Sequence, residues 1–478
     1  MEGKYRAYPE YKDSGVEWLG DIPTHWGLWK LAHAFSEIGS GTTPPSSSEE
    51  WYGGSIPWIT TGELRENIVL DTVKKLQPRT LEQYPTLRKY PKGSIAIAMY
   101  GATIGRLGIL GIEATTNQAC CVMTFSKVID NRYLYYWLQA FRDEIVNLSS
   151  GGGQPNINQE KVSALKISAP CSGDQKIIVS FLDHETAKID TLIDKQQQLI
   201  QLLKEKRQAV ISHAVTRGLD PKVPMKDSGV EWLGEVPEHW VVLSLGKIIL
   251  DKCDGPFGSG LKSSHYTETG VRVIRLQNIK SRGYYEGEGA FIDEAYYKNN
   301  LSNHDVISED ILIAGLGDPN NPVGRACVAP VNISPAMVKA DCFRFRLDAK
   351  KGKPDFITYQ LNTSARIDAG RLSTGSTRAR IPLSLMASRK IAICPLNEQK
   401  EIAIYLDVKL SRYDQLELKA VNVIALLKER RTALISAAVT GKIDVRNWQP
   451  ADSQARSLTA SCLPRHSDLP VQHMETPA

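Results

Sequence analysis

One segment of this chain is written twice. Lys12-Asp13-Ser14-Gly15-Val16-Glu17-Trp18-Leu19-Gly20 returns letter for letter as Lys226-Asp227-Ser228-Gly229-Val230-Glu231-Trp232-Leu233-Gly234, and Pro23, His25 and Trp26 are matched by Pro237, His239 and Trp240. A second echo joins Leu202-Leu203-Lys204-Glu205-Lys206-Arg207 to Leu426-Leu427-Lys428-Glu429-Arg430-Arg431. The stretches between the echoes differ strongly. Two alike frames around two unlike inserts restrict the chain to a repeat architecture, in which one scaffold presents two surfaces that read different things.

At 478 residues the chain is too long for one ordinary domain. Its net charge of +5 permits an acidic partner such as nucleic acid without demanding one. No apolar run reaches the roughly 20 residues that span a bilayer, and Met1-Glu2-Gly3-Lys4-Tyr5-Arg6 has no apolar signal core, so a cytoplasmic location is expected. The eight cysteines show no C-x-x-C pair and are expected to be reduced structural thiols; the nine histidines do not cluster with them, so no zinc site is expected.

The segments run in a cycle. A turn-rich frame element fills residues 1–24. An insert rich in Gly, Ile, Thr and Tyr follows over 25–170, with a strand at Gly93 to Tyr100 and a helical patch from Tyr133 to Leu148. A long helix is predicted within 171–224, with Ser172 and Asp174 as candidate N-caps and Gly218, Pro221 and Pro224 as its stop. Its apolar seam reads Ile178, Leu182, Ile189, Leu192, Leu199, Leu203 and Val210, with Gln196 also on the seam. The frame returns over 225–236, a second insert fills 237–395, and a second helix lies within 396–447. Its seam reads Ile402, Leu406, Tyr413, Leu416, Val423, Leu427 and Leu434, each 224 positions after its counterpart. The tail, 448–478, is expected to be disordered. Seams this well matched favour two helices pairing with each other, antiparallel and pseudo-twofold, as a rod on the order of 60 Å with an insert at each end. The competing arrangement packs each helix on its own insert.

Faint marks unite the inserts. Ile56 to Leu64 aligns with Val271 to Ile279, Ser94 to Arg106 with Asp310 to Arg325, and Gly151 to Ile157 with Gly375 to Ile381. The fold class expected is therefore α/β: two related recognition domains separated by an antiparallel coiled coil.

The chain resembles the specificity subunits of type I restriction-modification enzymes from about Tyr8 to Val445. The likeness rests on the duplicated Asp-Ser-Gly-Val-Glu-Trp-Leu-Gly element, on the helix start Gln175 to Asp183, and on Leu202 to Ser212. The second helix start departs slightly, reading Gln399-Lys400-Glu401-Ile402 and Tyr405-Leu406-Asp407. The resemblance implies a non-catalytic subunit whose two target-recognition domains each read one half of a split sequence in double-stranded DNA. It implies two modification subunits carrying S-adenosylmethionine, restriction subunits using ATP and Mg, and no cofactor on this chain. Bottom-up, the residues reach only two related readers on one spacer. A coiled-coil scaffold whose inserts bind proteins stays open beside the DNA reader.

Catalytic motifs are weak. Asp318-Pro319-Asn320-Asn321-Pro322 lacks the aromatic and paired prolines of an amino-methyltransferase loop and reads as a turn. No phosphate-binding G-x-x-x-x-G-K-[ST] string occurs. Asp355 with Glu398-Gln399-Lys400 has the wording of a nuclease site, but acidic residues at a helix start suit the helix dipole.

DNA recognition needs cations for phosphates and paired donors and acceptors for base edges, Arg suiting guanine and Asn or Gln adenine. The candidates in the first insert are Thr42, Thr43, Ser46, Ser47, Tyr100, Thr103, Arg106, Gln154 and Asn156. Those in the second are Lys262, Ser263, His265, Arg275, Gln277, Asn278, Arg325, Ser376, Thr377, Arg378 and Arg380. Arg106 and Arg325 recur in both inserts, which suits a backbone or folding role better than base choice. The tryptophans Trp18, Trp26, Trp232 and Trp240 belong to the common frame and are expected to pack rather than stack on bases.

Overall fold

Two long helices, Ser172–Arg217 and Leu396–Val439, organise the computed structural model, which describes residues 5–149, 156–365 and 379–449. The contacts divide the chain into two units, residues 1–196 with 422–478, and residues 197–421. Each unit therefore contains one insert and half of each helix. The expected disordered tail lies beyond residue 449, outside the described residues.

In unit 1 the main sheet has five strands in the order Ile38–Ser40, Cys120–Met123, Ile95–Ala98, Leu107–Leu110 and Asn67–Val69. All four residues of Ile95–Ala98 are buried, so this central strand is covered on both faces, which explains its unbroken run of apolar residues. A smaller sheet sets Tyr52–Ile59 parallel to Thr115–Thr116. Helix Asn131–Ala140 is capped by the Asp130 carboxylate, which accepts from the Arg132 and Tyr133 amides. Its Tyr133, Leu134 and Trp137 enter the core formed with Ile178, Leu182, Leu434 and Ala438 of the long helices. The helical patch predicted at 133–148 is in fact two helices, the second being Arg142–Asn147.

Unit 2 repeats this plan. Its sheet orders Ile249–Cys253, Cys342–Leu347, Ile311–Ala314 and Ala326–Val328, while Val271–Ile274 runs parallel to Ala336–Val338. Pro354–Ser364 takes the place of Asn131–Ala140 and puts Phe356 and Leu361 against Ile402, Leu406 and Val215.

Within each unit the two helix halves run antiparallel. In unit 1 Arg431 Nε donates to Asp190 at 3.0 Å, and in unit 2 Arg207 Nη1 donates to Asp414 at 2.7 Å. The seam differs in part from the one read in the sequence. Leu192 and Leu416 are each 46% exposed, Leu199 and Val423 also face solvent, and Ile193, Ile200, Glu417 and Ile424 take the inner positions. The covered positions step 189, 193, 196, 200, 203, 207, 210 and 413, 417, 420, 424, 427, 431, 434, alternating four and three. A run of apolar doublets, such as Leu192-Ile193 and Leu199-Ile200, offers two stripes one residue apart, and only the strict heptad spacing keeps one of them inward. Neither candidate is the N-cap: the helix begins at Ser172, Cys171 holds the capping position and its carbonyl accepts from the Gln175 amide, and Asp174 sits inside the first turn. Both helices stop at a left-handed glycine, Gly218 at φ +73° and Gly441 at φ +74°.

The frame copies form matching β-hairpins, Tyr11–Asp13 with Asp21–Pro23 and Met225–Asp227 with Glu235–Pro237. The tryptophans are packing groups. Trp18 meets Trp137 and Phe141, Trp26 meets Tyr8 and Tyr133, and Trp240 meets Phe356. Gln175 and Gln399, the shared letters at the helix starts, are buried clamps. Gln175 accepts from the Asp130 amide and donates to the Val128 and Pro170 carbonyls; Gln399 accepts from the Lys353 amide and donates to Lys351 and Cys394.

The seven cysteines among the described residues are unpaired. Burial pushes the Cys121 and Cys327 thiols up to about 12. No helix of the described residues is long and apolar enough to cross a membrane.

Candidate nucleic-acid interface

In each unit four loops converge beside the central strand. The first crossing needs a glycine. A Cβ on Gly41 would lie 1.7 Å from the Thr116 carbonyl oxygen, and one on Gly255 would lie 2.1 Å from the Lys339 carbonyl carbon. These glycines are 214 positions apart, the spacing of the two frame copies, and that coincidence is the sequence signal that would have located the crossing.

The loop after the central strand comes next. Tyr100 makes an isolated bridge with Asn156, and Leu316 makes the same bridge with Arg380. The Ile157 amide donates to Met99 at 2.9 Å, as the Ile381 amide does to Gly315 at 3.0 Å. The turn before the next strand closes the cluster: Met99 donates to the Ala119 carbonyl, and Gly315 to that of Asp341, each at 2.8 Å. Tyr100 Oη adds a bond to the Gln118 carbonyl. One backbone constellation is thus built twice, with different side chains at its equivalent positions.

The sequence candidates divide by placement. In unit 1, Tyr100, Thr103, Arg106 and Asn156 lie on this cluster, Thr103 donating to the Tyr100 carbonyl at 3.3 Å. Thr42, Thr43, Ser46 and Ser47 follow Gly41; Thr42 Oγ1 lies 2.6 Å from Thr86 Oγ1, and the others face solvent. In unit 2, Arg380 lies on the cluster and Gln277 on the rim of a hollow lined by Leu276, Lys280, Leu316 and Asp318. Lys262 and Ser263 are exposed, and His265 Nδ1 accepts from the Lys262 amide. Gln154, Ser376, Thr377 and Arg378 lie outside the described residues.

Three candidates are turned into the fold. Asn278, 1% exposed, holds a turn by donating to Tyr285 and Glu286 and accepting from the Arg275 amide. Arg325, 5% exposed, donates to the carbonyls of Ile279, Leu316, Pro322 and Leu276, so no free edge remains to meet a base. Arg275 has its Nε buried and gives Nη2 to the Glu288 carbonyl.

Residues that sequence reasoning did not name complete the second cluster. Asp341, at φ +63°, holds Arg380 through a 2.9 Å bond from Nε. Phe257 lies under the Arg380 guanidinium at 5.3 Å. Asp254 accepts from the Gly255 and Asp341 amides; burial pushes its carboxyl up to about 6, with the Asp341 charge adding to the rise.

The strings with catalytic wording have structural roles. The Asp318 string is a turn in which the carboxylate accepts from the Asn320 and Asn321 amides. Glu398 accepts from Trp240 Nε1, and Gln399 is a clamp, so the nuclease-like wording is taken up by packing. No group of three potential metal ligands occurs among the described residues.

A duplicated loop cluster on a duplicated frame agrees with the comparisons. The family described as "Type I restriction modification DNA specificity domain" matches residues 33–202 and again 260–425. The chain belongs to this family. It is 24% identical over 432 residues to the MjaVIII specificity subunit of Methanocaldococcus jannaschii, covering 89% of this chain and 95% of that one. It is 23% identical over 347 residues to the EcoKI specificity subunit of Escherichia coli K12, covering 71% of each. Among solved structures, a chain from work on complex assembly and conformational transition of the type I R-M system aligns at TM-score 0.67 and 14% identity, covering 87% of this chain and 98% of that one. The HsdS subunit from Thermoanaerobacter tengcongensis aligns at TM-score 0.52 and 14% identity, covering 90% and 100%. This type I specificity chain is thus a non-catalytic member of its family with two related recognition domains.

Proposed function

We propose that this chain is the DNA-recognition subunit of a type I restriction-modification complex, and that each unit reads one half of a bipartite, asymmetric target. The observation that carries the reading is the duplicated cluster. Tyr100 with Asn156 in one unit and Leu316 with Arg380 in the other occupy the same backbone positions with different chemistry. A shared scaffold with unlike contact residues suits two unlike half-sites.

The chemistry of methyl transfer and cleavage then belongs to partners. Modification subunits would bring S-adenosylmethionine, and restriction subunits ATP and Mg, to DNA selected by this chain. The cytoplasm is the compartment in which this reading places the work.

The test is a gel-shift with the chain co-expressed with its modification subunit, using duplexes carrying motifs mapped from modified bases in the host genome. Retention of split-motif duplexes over scrambled ones is the expected result. Equal binding to both, with retention of a protein partner instead, would make the inserts protein-binding surfaces.

A further inference from the structure

The equivalence of residues 156 and 380 supports a sharper assignment. Both form the single bridge to the loop after the central strand, and they stand 224 positions apart, the spacing of the helix repeat. One is Asn and the other Arg, the side chains whose paired donors and acceptors match adenine and guanine.

Arg380 is held for such a task from three sides. Its backbone is fixed by the Leu316 bridge and by the Gly317 amide, which donates to the Ala379 carbonyl at 2.9 Å. Its Nε donates to Asp341 Oδ1 at 2.9 Å. Its guanidinium stacks over Phe257. Asp341 is itself fixed, its amide donating to Asp254 Oδ1 at 2.8 Å and its carbonyl accepting from Gly315. The bond to Nε leaves the end-on edge of the guanidinium, Nη1 with Nη2, without a hydrogen bond among the described residues. That edge is the one that meets guanine O6 and N7 together. Every other described arginine between residues 237 and 395 commits at least one terminal nitrogen inside the protein, and Arg325, Arg344 and Arg389 commit both. The Arg380 side chain is 51% exposed, and a carboxylate that pre-orients it reduces the entropy lost on binding.

Asn156 is exposed and takes the same place in unit 1. Among the described residues nothing bonds its carboxamide, whose oxygen and nitrogen can meet adenine N6 and N7.

We infer that residues 156 and 380 are equivalent base-reading positions, Arg380 taking a guanine in one half-site and Asn156 an adenine in the other. The inference rests on the DNA-recognition reading above.

The experiment maps modified bases in cells expressing the whole complex with the wild-type chain, with R380N, or with N156A. R380N is expected to relax one fixed guanine in one half-site and to leave the other half-site unchanged, with discrimination at that base falling about 10- to 100-fold. N156A should relax one adenine in the opposite half. Variants that keep every letter, or that change the same half-site, overturn the assignment. If R380N gives no methylation, purified complexes are compared on duplexes with and without the guanine. The assignment requires wild type and R380N to bind alike once the guanine is replaced; an equal deficit on both duplexes overturns it. A wild-type complex that methylates no split motif removes the DNA-recognition reading itself, a result distinct from variants that leave an existing motif intact.

Discussion

Arg207 Nη1 donates to Asp414 Oδ1 at 2.7 Å, and 224 positions on the same pair recurs with its helices exchanged, Arg431 Nε donating to Asp190 Oδ1 at 3.0 Å. Arg207 and Arg431 stand on seam positions, where an aliphatic residue would pack as well but would not distinguish one antiparallel register from another. The pair therefore selects register more than it adds stability. Its carboxylates are half exposed, and a coupling of about 0.5–1 kcal/mol is expected for each pair. R207E should weaken protection of residues 197–421 in hydrogen exchange, since Glu would face the Asp414 carboxylate. The double variant R207E/D414R should recover part of it, because D414R also gives up the ion pair of Asp414 with Arg282 at 3.6 Å. Additive losses in the double-mutant cycle would show that the pair is incidental.

Gln399 makes three hydrogen bonds from a fully buried position, and Gln175 makes three from its own. Replacing either with Leu keeps the volume but orphans one amide and two carbonyls. The expected cost is about 3 kcal/mol in the unit concerned. A glutamate at either position should be worse than leucine, because it accepts only and would meet two carbonyl oxygens. Thermal melts of Q399L and Q399E would order the two; a midpoint unchanged in both would mean that water replaces the clamp.

Asp254 gives a pH dependence whose sign is fixed by its shift. Its carboxyl rises to about 6 in the fold from 3.8, chiefly by burial, so between those values the folded chain binds more protons than the unfolded one. Stability from this group is present below pH 4 and is lost as pH rises through 6. The surrounding charges, Asp341 and Arg380, act in opposite directions on it. D254N keeps an oxygen for the Gly255 and Asp341 amides and removes the titration. At pH 8 the variant should match or exceed wild type by about 1 kcal/mol, with the gap shrinking toward pH 5. A gap of constant size across that range would assign the effect to lost hydrogen bonds instead.

The frame and the long helices could be read from the letters because each was stated twice, and a repeat exposes itself without any energy argument. Gln175 and Gln399 stood in the shared string, but that they were clamps rather than surface polar residues needed their carbonyl partners. The seam slipped by one residue at Leu192, Leu199, Leu416 and Val423 because doublets such as Leu199-Ile200 give hydrophobicity no preference between neighbours. The inward choice includes Glu417 and Arg207, which an apolar pattern passes over. At the interface, Asn156 and Arg380 were visible as residue types suited to bases. Asp341 and Phe257, which fix Arg380, lie about 40 and 120 positions away, and no local periodicity links segments that meet only through sheet pairing. Asn278 and Arg325 had the right chemistry for DNA and the wrong direction. Burial on a turn, not residue type, decided their roles.

The two frame copies meet the acid at the helix start differently, and a methylene accounts for it. Glu398 Oε1 accepts from Trp240 Nε1 at 3.0 Å while its Oε2 lies 2.8 Å from His239 Nε2. Asp174 holds the equivalent position in unit 1 and is one carbon shorter. It lies 4.0 Å from His25 Nε2, and Trp26 Nε1 is buried without an acceptor. An unpaired buried donor costs about 1–3 kcal/mol, of which a well-placed acceptor recovers about 1. D174E is therefore expected to raise the melting temperature of unit 1 by roughly 2–4 °C, and E398D to lower that of unit 2 by a similar amount. Tryptophan fluorescence gives a second readout, since a new bond to the Trp26 indole should shift its emission while W26F abolishes the D174E gain. A D174E gain that survives in the W26F background would place the benefit at the helix dipole, because a longer acid in the first turn acts there without any indole.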